Sequence, residues 1–132
     1  MTKARMLILL AVAAHWIVAV WHLFLAAKIL PPPSNSVSWV VIVFFTLGHL
    51  SLLVAVWKLR DKLSGLVASI VFLAALGADL YEHFVQVAPN NVFMAASGAW
   101  TAWFDASVFA LVALEILGIS LGLLLLRNRT KR

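Results

Sequence analysis

The sequence predicts an all-α, polytopic membrane four-helix bundle with both termini on the cytoplasmic side. The chain of 132 residues is 64% hydrophobic, and its mean hydropathy is +1.05. Charged residues make up 11% of it, whereas soluble domains run near about a quarter. Four apolar stretches, each at or above the ~20 residues that cross the hydrocarbon core as a helix, are separated by helix-breaking or charged segments. A chain this short, with its apolar residues spread evenly, is expected to be one transmembrane domain spanning residues 1–132.

The first stretch runs from Met6 to Leu30 and ends at Pro31, Pro32 and Pro33. Lys3 and Arg5 before it, with Ala11-Val12-Ala13 inside it, resemble a signal peptide. The apolar run nevertheless continues to Leu30, longer than a signal h-region, so a retained first helix is expected. The second stretch runs from Val37 to Trp57 and stops at Lys58-Leu59-Arg60-Asp61-Lys62. The third, Leu63 to Val87, stops at Ala88-Pro89-Asn90-Asn91, and the fourth covers about Ala95 to Leu126.

Orientation follows from the basic residues. Lys3, Arg5, Lys58, Arg60, Lys62, Arg127, Arg129, Lys131 and Arg132 fall on one side, and only Lys28 on the other. Under the positive-inside rule the richer side is cytoplasmic. A multi-pass protein of a bacterial-type inner or plasma membrane is therefore expected. Asn128-Arg129-Thr130 fits a glycosylation sequon but falls in the cytoplasmic tail, where it carries no weight. Trp39 and Trp100 near the outer helix ends, and Trp57 near the inner end of helix two, read as headgroup anchors. Trp16, Trp21 and Trp103 lie deeper and could face lipid or line a pocket.

Composition also excludes function classes. The net charge of +5 does not point to nucleic acid, because the basic residues sit at helix ends and not on one solvated face. They suit anionic headgroups, which makes the lipid bilayer the first expected partner. There is no cysteine, so disulfides, iron–sulfur clusters and thiolate metal sites are excluded. No glycine-rich phosphate loop and no nucleophile elbow occurs.

The informative residues are the ionisable ones inside the spans: His15, His22, His49, Asp79, Glu82, His83, Asp105 and Glu115. A charge at mid-bilayer costs at least ~2.5–3.5 kcal/mol on insertion scales, so such residues usually face the bundle interior and mark a site. His15 and His22 are seven apart and share a face with Ala11, Ala19 and Ala26, the small-residue face that packs against other helices. Asp79, Glu82, His83 and Gln86 form one stripe at i, i+3, i+4 and i+7. Gly98, Thr101, Asp105 and Val112 share a face of helix four, and Thr46 and His49 share one of helix two. At ~1.5 Å rise per residue, Asp105 falls roughly 12 Å below the outer boundary. His22 and Asp79 come out at a similar level, Glu82 and His83 above them and His49 below.

The expected site is thus a polar pocket in the outer leaflet, lined by His22, Asp79, His83 and Asp105. It would bind, and by acid–base or metal-assisted chemistry transform, a small or lipophilic molecule entering from the membrane. In that reading Asp79 or Asp105 is the general base and His22 its acid or orienting partner. His49, Glu82, His83 and Thr101 are the candidate ligand-binding residues. His22, Asp79, His83 and Asp105 also make a two-imidazole, two-carboxylate set suited to a divalent metal such as zinc, iron or manganese. The Glu-x-x-His pair of metal-binding bundles is matched only loosely by Asp79-x-x-Glu82-His83. His15 and His49, near mid-depth on adjacent helices, are candidate axial ligands of a b-type haem. Glu115 lies about 80° around helix four from Asp105 at 3.6 residues per turn, which sets it apart from that cluster. The rival readings are a proton-coupled or metal-ion transporter, with Glu115 and His15 continuing the polar path inward, and an accessory subunit whose polar residues bond to partner helices. Partner chains would then be a membrane complex or further copies of this chain.

Overall fold

A computed structural model describes residues 2–30, 39–95 and 97–127. The described residues form helices and turns, with no strand among them. Helix α1 spans Lys3–Ile29, α2 Trp39–Lys58, α3 Asp61–Leu80 and α4 Thr101–Arg127; a π-helical turn, Tyr81–Val85, continues α3. The expected proline-rich turn, the start of helix two at Val37 and the sequon near the C-terminus lie outside the described residues.

Three helical segments are long and apolar enough to cross a membrane: Lys3–Ile29, Asp61–Val85 and Thr101–Arg127. The second helix contributes a shorter apolar stretch, Phe45–Lys58. Large apolar side chains cover the outside of the bundle: Ile17, Trp57, Leu73 and Phe109 are all more than half exposed. Trp21, Trp100 and Trp103 are likewise exposed, while Trp16 turns inward against Phe45 and His49. The side chain of Trp39 lies outside the described residues.

The helices run alternately up and down. Thr2 caps α1 through its hydroxyl, which accepts from Arg5 N. Arg5 then ties α1 to the turn between α2 and α3: its Nε pairs with Asp61 Oδ1 at 2.6 Å, its Nη1 donates to the Val56 carbonyl at 3.0 Å, and its Nη2 donates to the Leu59 carbonyl. Ser64 Oγ donates to the Ala55 carbonyl across the same turn. Leu125 packs beside Gly65 at the start of α3, so the basic residues at these helix ends gather at one end of the bundle.

Small residues set the register of α3 against α4. A Cβ built on Gly122 would lie 2.8 Å from the Gly65 carbonyl oxygen and 2.9 Å from Ser69 N, and one on Gly118 would collide with the Phe72 ring. Only glycine lets the two backbones come this close, the packing mode that serves helices inside membranes. Each helix-four residue therefore has a fixed level on α3: Gly122 sits at Ser69 and Gly118 at Phe72. Carried along both helices at 1.5 Å per residue, this register sets Asp79 level with Leu111 and Asp105 level with Val85.

Two apolar cores fill the bundle. One, at the basic end, joins Ile8 and Val12 of α1, Leu52 and Val56 of α2, Ala68 and Phe72 of α3, and Leu125 of α4. The other joins Leu25, Ala26 and Leu30 of α1 to Phe104 and Val108 of α4. Ser64 is buried at the basic end; the other buried polar side chains of the described helices, His15, His22, His49, His83, Ser107 and Glu115, lie mostly in the layer between the two cores.

Helix four begins at Thr101, six residues later than the apolar run alone predicts, and helix three ends in a π turn at Val85 instead of at Val87. Residues 86–95 fold back on that turn. Val92 N donates to the His83 carbonyl at 3.0 Å, Asn91 Nδ2 to the Gln86 carbonyl at 2.9 Å, and Phe93 N to Asn91 Oδ1 at 2.9 Å. These bonds satisfy backbone groups that the end of a helix would otherwise leave open.

Candidate functional site

Two polar groups meet at Asp79. In the first, His15 of α1, Asp79 of α3 and Glu115 of α4 bring one ligand atom each within 4.8 Å of one another. In the second, Asp79, Glu82 and His83 do the same. The register explains why Asp79 reaches Glu115: it stands about one turn above it, and the Cα–Cβ bonds of antiparallel helices lean toward each N-terminus, so these two side chains lean toward each other.

The first group continues into a chain of hydrogen bonds across three helices. His49 Nδ1 donates to the Phe45 carbonyl at 2.8 Å. A carbonyl only accepts, so with His49 neutral its Nε2 is a bare acceptor, and His15 Nδ1 donates to it at 2.9 Å. His15 Nε2 faces Glu115 Oε1 at 3.0 Å, with a single hydrogen between them. The other oxygen, Oε2, is enclosed and has no hydrogen-bond partner, on a side chain with 0% exposure. A buried acceptor left open costs ~1–3 kcal/mol. Phe72 closes the site from below, its ring edge-on to both His15 and His49.

The second group joins Asp79, near the end of α3, to Glu82 and His83 of the π turn. A π turn widens the helix by one residue and recurs at functional sites; here Gln86 N donates to the Tyr81 carbonyl at 2.7 Å. His83 is buried, and its Nδ1 donates to the Asn90 carbonyl at 2.9 Å. That bond sets the tautomer and leaves Nε2 as the free ligand atom of a neutral ring. An imidazole that donates its other N–H to a carbonyl is the usual arrangement for a metal ligand.

His22 is held in the same manner. Ser107 Oγ donates to the Phe104 carbonyl at 2.6 Å, so it receives the hydrogen of His22 Nδ1 at 2.9 Å. The His22 ring stands edge-on to that of His83, with centroids 4.9 Å apart.

Of the residues singled out from sequence, Asp79, Glu82 and His83 come together, with His22 beside His83. Asp105 joins neither group. Its Oδ1 is enclosed without a hydrogen-bond partner, and it stands six residues, or about 9 Å at 1.5 Å rise, beyond the level of Asp79. The common level assigned to His22, Asp79 and Asp105 came from starting helix four at Ala95; with the start at Thr101, Asp79 pairs in depth with the segment above Glu115. Thr101 opens α4. His49 is bonded to His15 with the rings stacked at 4.9 Å, so the pair forms a direct link and does not stand on opposite faces of a macrocycle.

Sequence reasoning set Glu115 and His15 apart from Asp79, and passed over Ser107. One signal was available. His15 to His22 and Ser107 to Glu115 both span about two helical turns, so antiparallel α1 and α4 form both pairs in a single register.

No family model, curated protein or solved structure matches the chain. The class is defined by the fold and the site themselves: a helical protein with segments long and apolar enough to span a membrane, enclosing buried His, Asp and Glu groups.

Proposed function

We propose that the chain is an integral membrane protein, with both termini cytoplasmic, that binds a divalent transition-metal ion in the outer half of the bilayer through Asp79, Glu82 and His83. The observation that carries this reading is the convergence of their three ligand atoms within 4.8 Å where α3 passes into the π turn, with His83 already committed through Nδ1 to a backbone carbonyl. Carboxylate oxygens with imidazole suit zinc, iron or manganese. Three protein ligands leave a coordination position open, the arrangement of catalytic and not of purely structural zinc sites. A small molecule entering from the membrane would take that position, and His22, against the His83 ring, is the group placed to exchange a proton with it.

The test is metal analysis of tag-free protein in detergent micelles, followed by titration with cobalt(II) and visible spectroscopy. Wild type is expected to give the absorption of a coordinated cobalt ion, and Asp79→Asn to give none. Absence of binding in wild type, or equal binding in Asp79→Asn, overturns the proposal, and a Soret band in the purified protein would favour haem instead.

One observation favours transport of the ion as a second reading: polar contacts continue from Asp79 through Glu115 and His15 to His49 on a fourth element. Metal-dependent quenching of a dye enclosed in proteoliposomes separates a carrier from a protein that only binds.

A further inference from the structure

Glu115 is the residue that binding at the π turn does not use, and it is the most buried acid of the chain. A carboxyl group with one oxygen on His15 and the other enclosed in the interior, with a second acid, Asp79, beside it, is a costly thing to place between apolar cores, unless something sits between the two acids. The open atom belongs to a side chain with 0% exposure, and Glu115 lies in a group with His15 and Asp79, one ligand atom of each within 4.8 Å of the others. His15 is oriented from behind, because its Nδ1 donates to His49, which is anchored in turn on the Phe45 carbonyl. Its Nε2 lone pair is thereby directed at Glu115, the kind of outer support that metal-ligating histidines have.

Asp79 belongs to both groups. A carboxylate has two oxygens and can bridge two cations, and paired metal ions in helical bundles and hydrolytic enzymes are held in this way, ~3.5–4 Å apart.

From these contacts we infer that His15, Asp79 and Glu115 form a second cation subsite, so that the protein holds a carboxylate-bridged pair of divalent transition-metal ions with Asp79 as the bridge. The inference rests on the proposed binding of one ion by Asp79, Glu82 and His83 and adds a second beside it. The cation takes the place of the hydrogen now shared by His15 Nε2 and Glu115 Oε1, and it satisfies Glu115 Oε2. The two ions draw on four different segments, α1, α3, the π turn and α4, so filling the pair also ties these segments together.

Stoichiometry tests it. Tag-free protein in detergent micelles, equilibrated with zinc(II) and passed over a desalting column, is analysed for metal per chain. Wild type is expected to retain two ions, Glu115→Gln one, and Asp79→Asn none. His15→Gln is the parallel variant, approaching the subsite from α1, and is expected to retain one ion. Circular dichroism establishes that each variant is folded. One ion in wild type, unchanged in Glu115→Gln and His15→Gln, overturns the second subsite and leaves the first standing; no ion in wild type overturns both. Two ions in all of wild type, Glu115→Gln and His15→Gln place the second ion elsewhere and overturn the inference.

Discussion

Replacing Glu115 by glutamine and by alanine separates two descriptions of the metal-free bundle. Glu115 Oε1 faces His15 Nε2 at 3.0 Å, and both side chains are at most 1% exposed. Separated charges in so apolar a place are costly to bury, so the metal-free pair is read as a carboxyl group donating to a neutral imidazole. Glutamine reproduces that arrangement, since its Nε2–H donates to the same lone pair. Interhelical hydrogen bonds inside membranes average ~0.6 kcal/mol and reach about 1.7, so Glu115→Gln should cost under about 1 kcal/mol. Alanine removes the bond, leaves His15 Nε2 unpaired at a cost of ~1–3 kcal/mol, and opens a cavity beside His15. Together these give roughly 2–5 kcal/mol. If the two residues were instead an ion pair, neutralising one of them would cost ~3–5 kcal/mol and glutamine would be nearly as damaging as alanine. The assay is unfolding by SDS in mixed micelles, followed by circular dichroism with metal chelated. Equal loss in the two variants would refute the neutral pair.

Three further outcomes follow from the same contacts. Asp105→Asn should leave cobalt(II) binding unchanged and Asp79→Asn should abolish it, read in one spectrophotometric titration, because Asp105 stands about 9 Å above the level of Asp79 on the 1.5 Å rise. Gly122→Ala should destabilise the bundle by ~1–3 kcal/mol in SDS unfolding, since its Cβ would meet the Gly65 carbonyl and Ser69 backbone. Gly77→Ala, where a Cβ has nothing within 4 Å, should be neutral or stabilise slightly. Reporters fused at the N-terminus, after Arg60 and at the C-terminus should read cytoplasmic, and those after Asn35 or Asn90 external; an external C-terminus would move the metal group to the other leaflet.

The polar layer makes opposite demands on the two ends of the bundle. At the basic end, glycine contacts join α3 to α4, the Arg5 bonds join α1 to α2 and the α2–α3 turn, and the buried Ser64 hydroxyl is bonded to the Ala55 carbonyl. At the other end, the π turn and the loop folded on it spend regular helical bonding to aim Glu82 and His83. Rigidity at one end and an irregular helix at the other is the distribution expected when a site must be held steady yet stay open to entry.

Hydropathy by itself determined the helical class, the approximate positions of the four helices and the gathering of basic residues at their ends, because burial in an apolar medium acts on each residue almost independently of the rest. The same local reasoning identified Asp79, Glu82 and His83 as one stripe, since i, i+3 and i+4 neighbours are set by helix geometry alone. It did not place Glu115 with Asp79, or separate Asp105 from it. Those relations depend on how far one helix slides along another, which is decided by Gly118 and Gly122 seating against Phe72 and Ser69, and by helix four starting only at Thr101. A slide of one helical turn costs hydropathy nothing, because the sliding surfaces are apolar throughout. Close packing and the search of each buried polar atom for a partner choose among such slides, and both exist only once the helices touch.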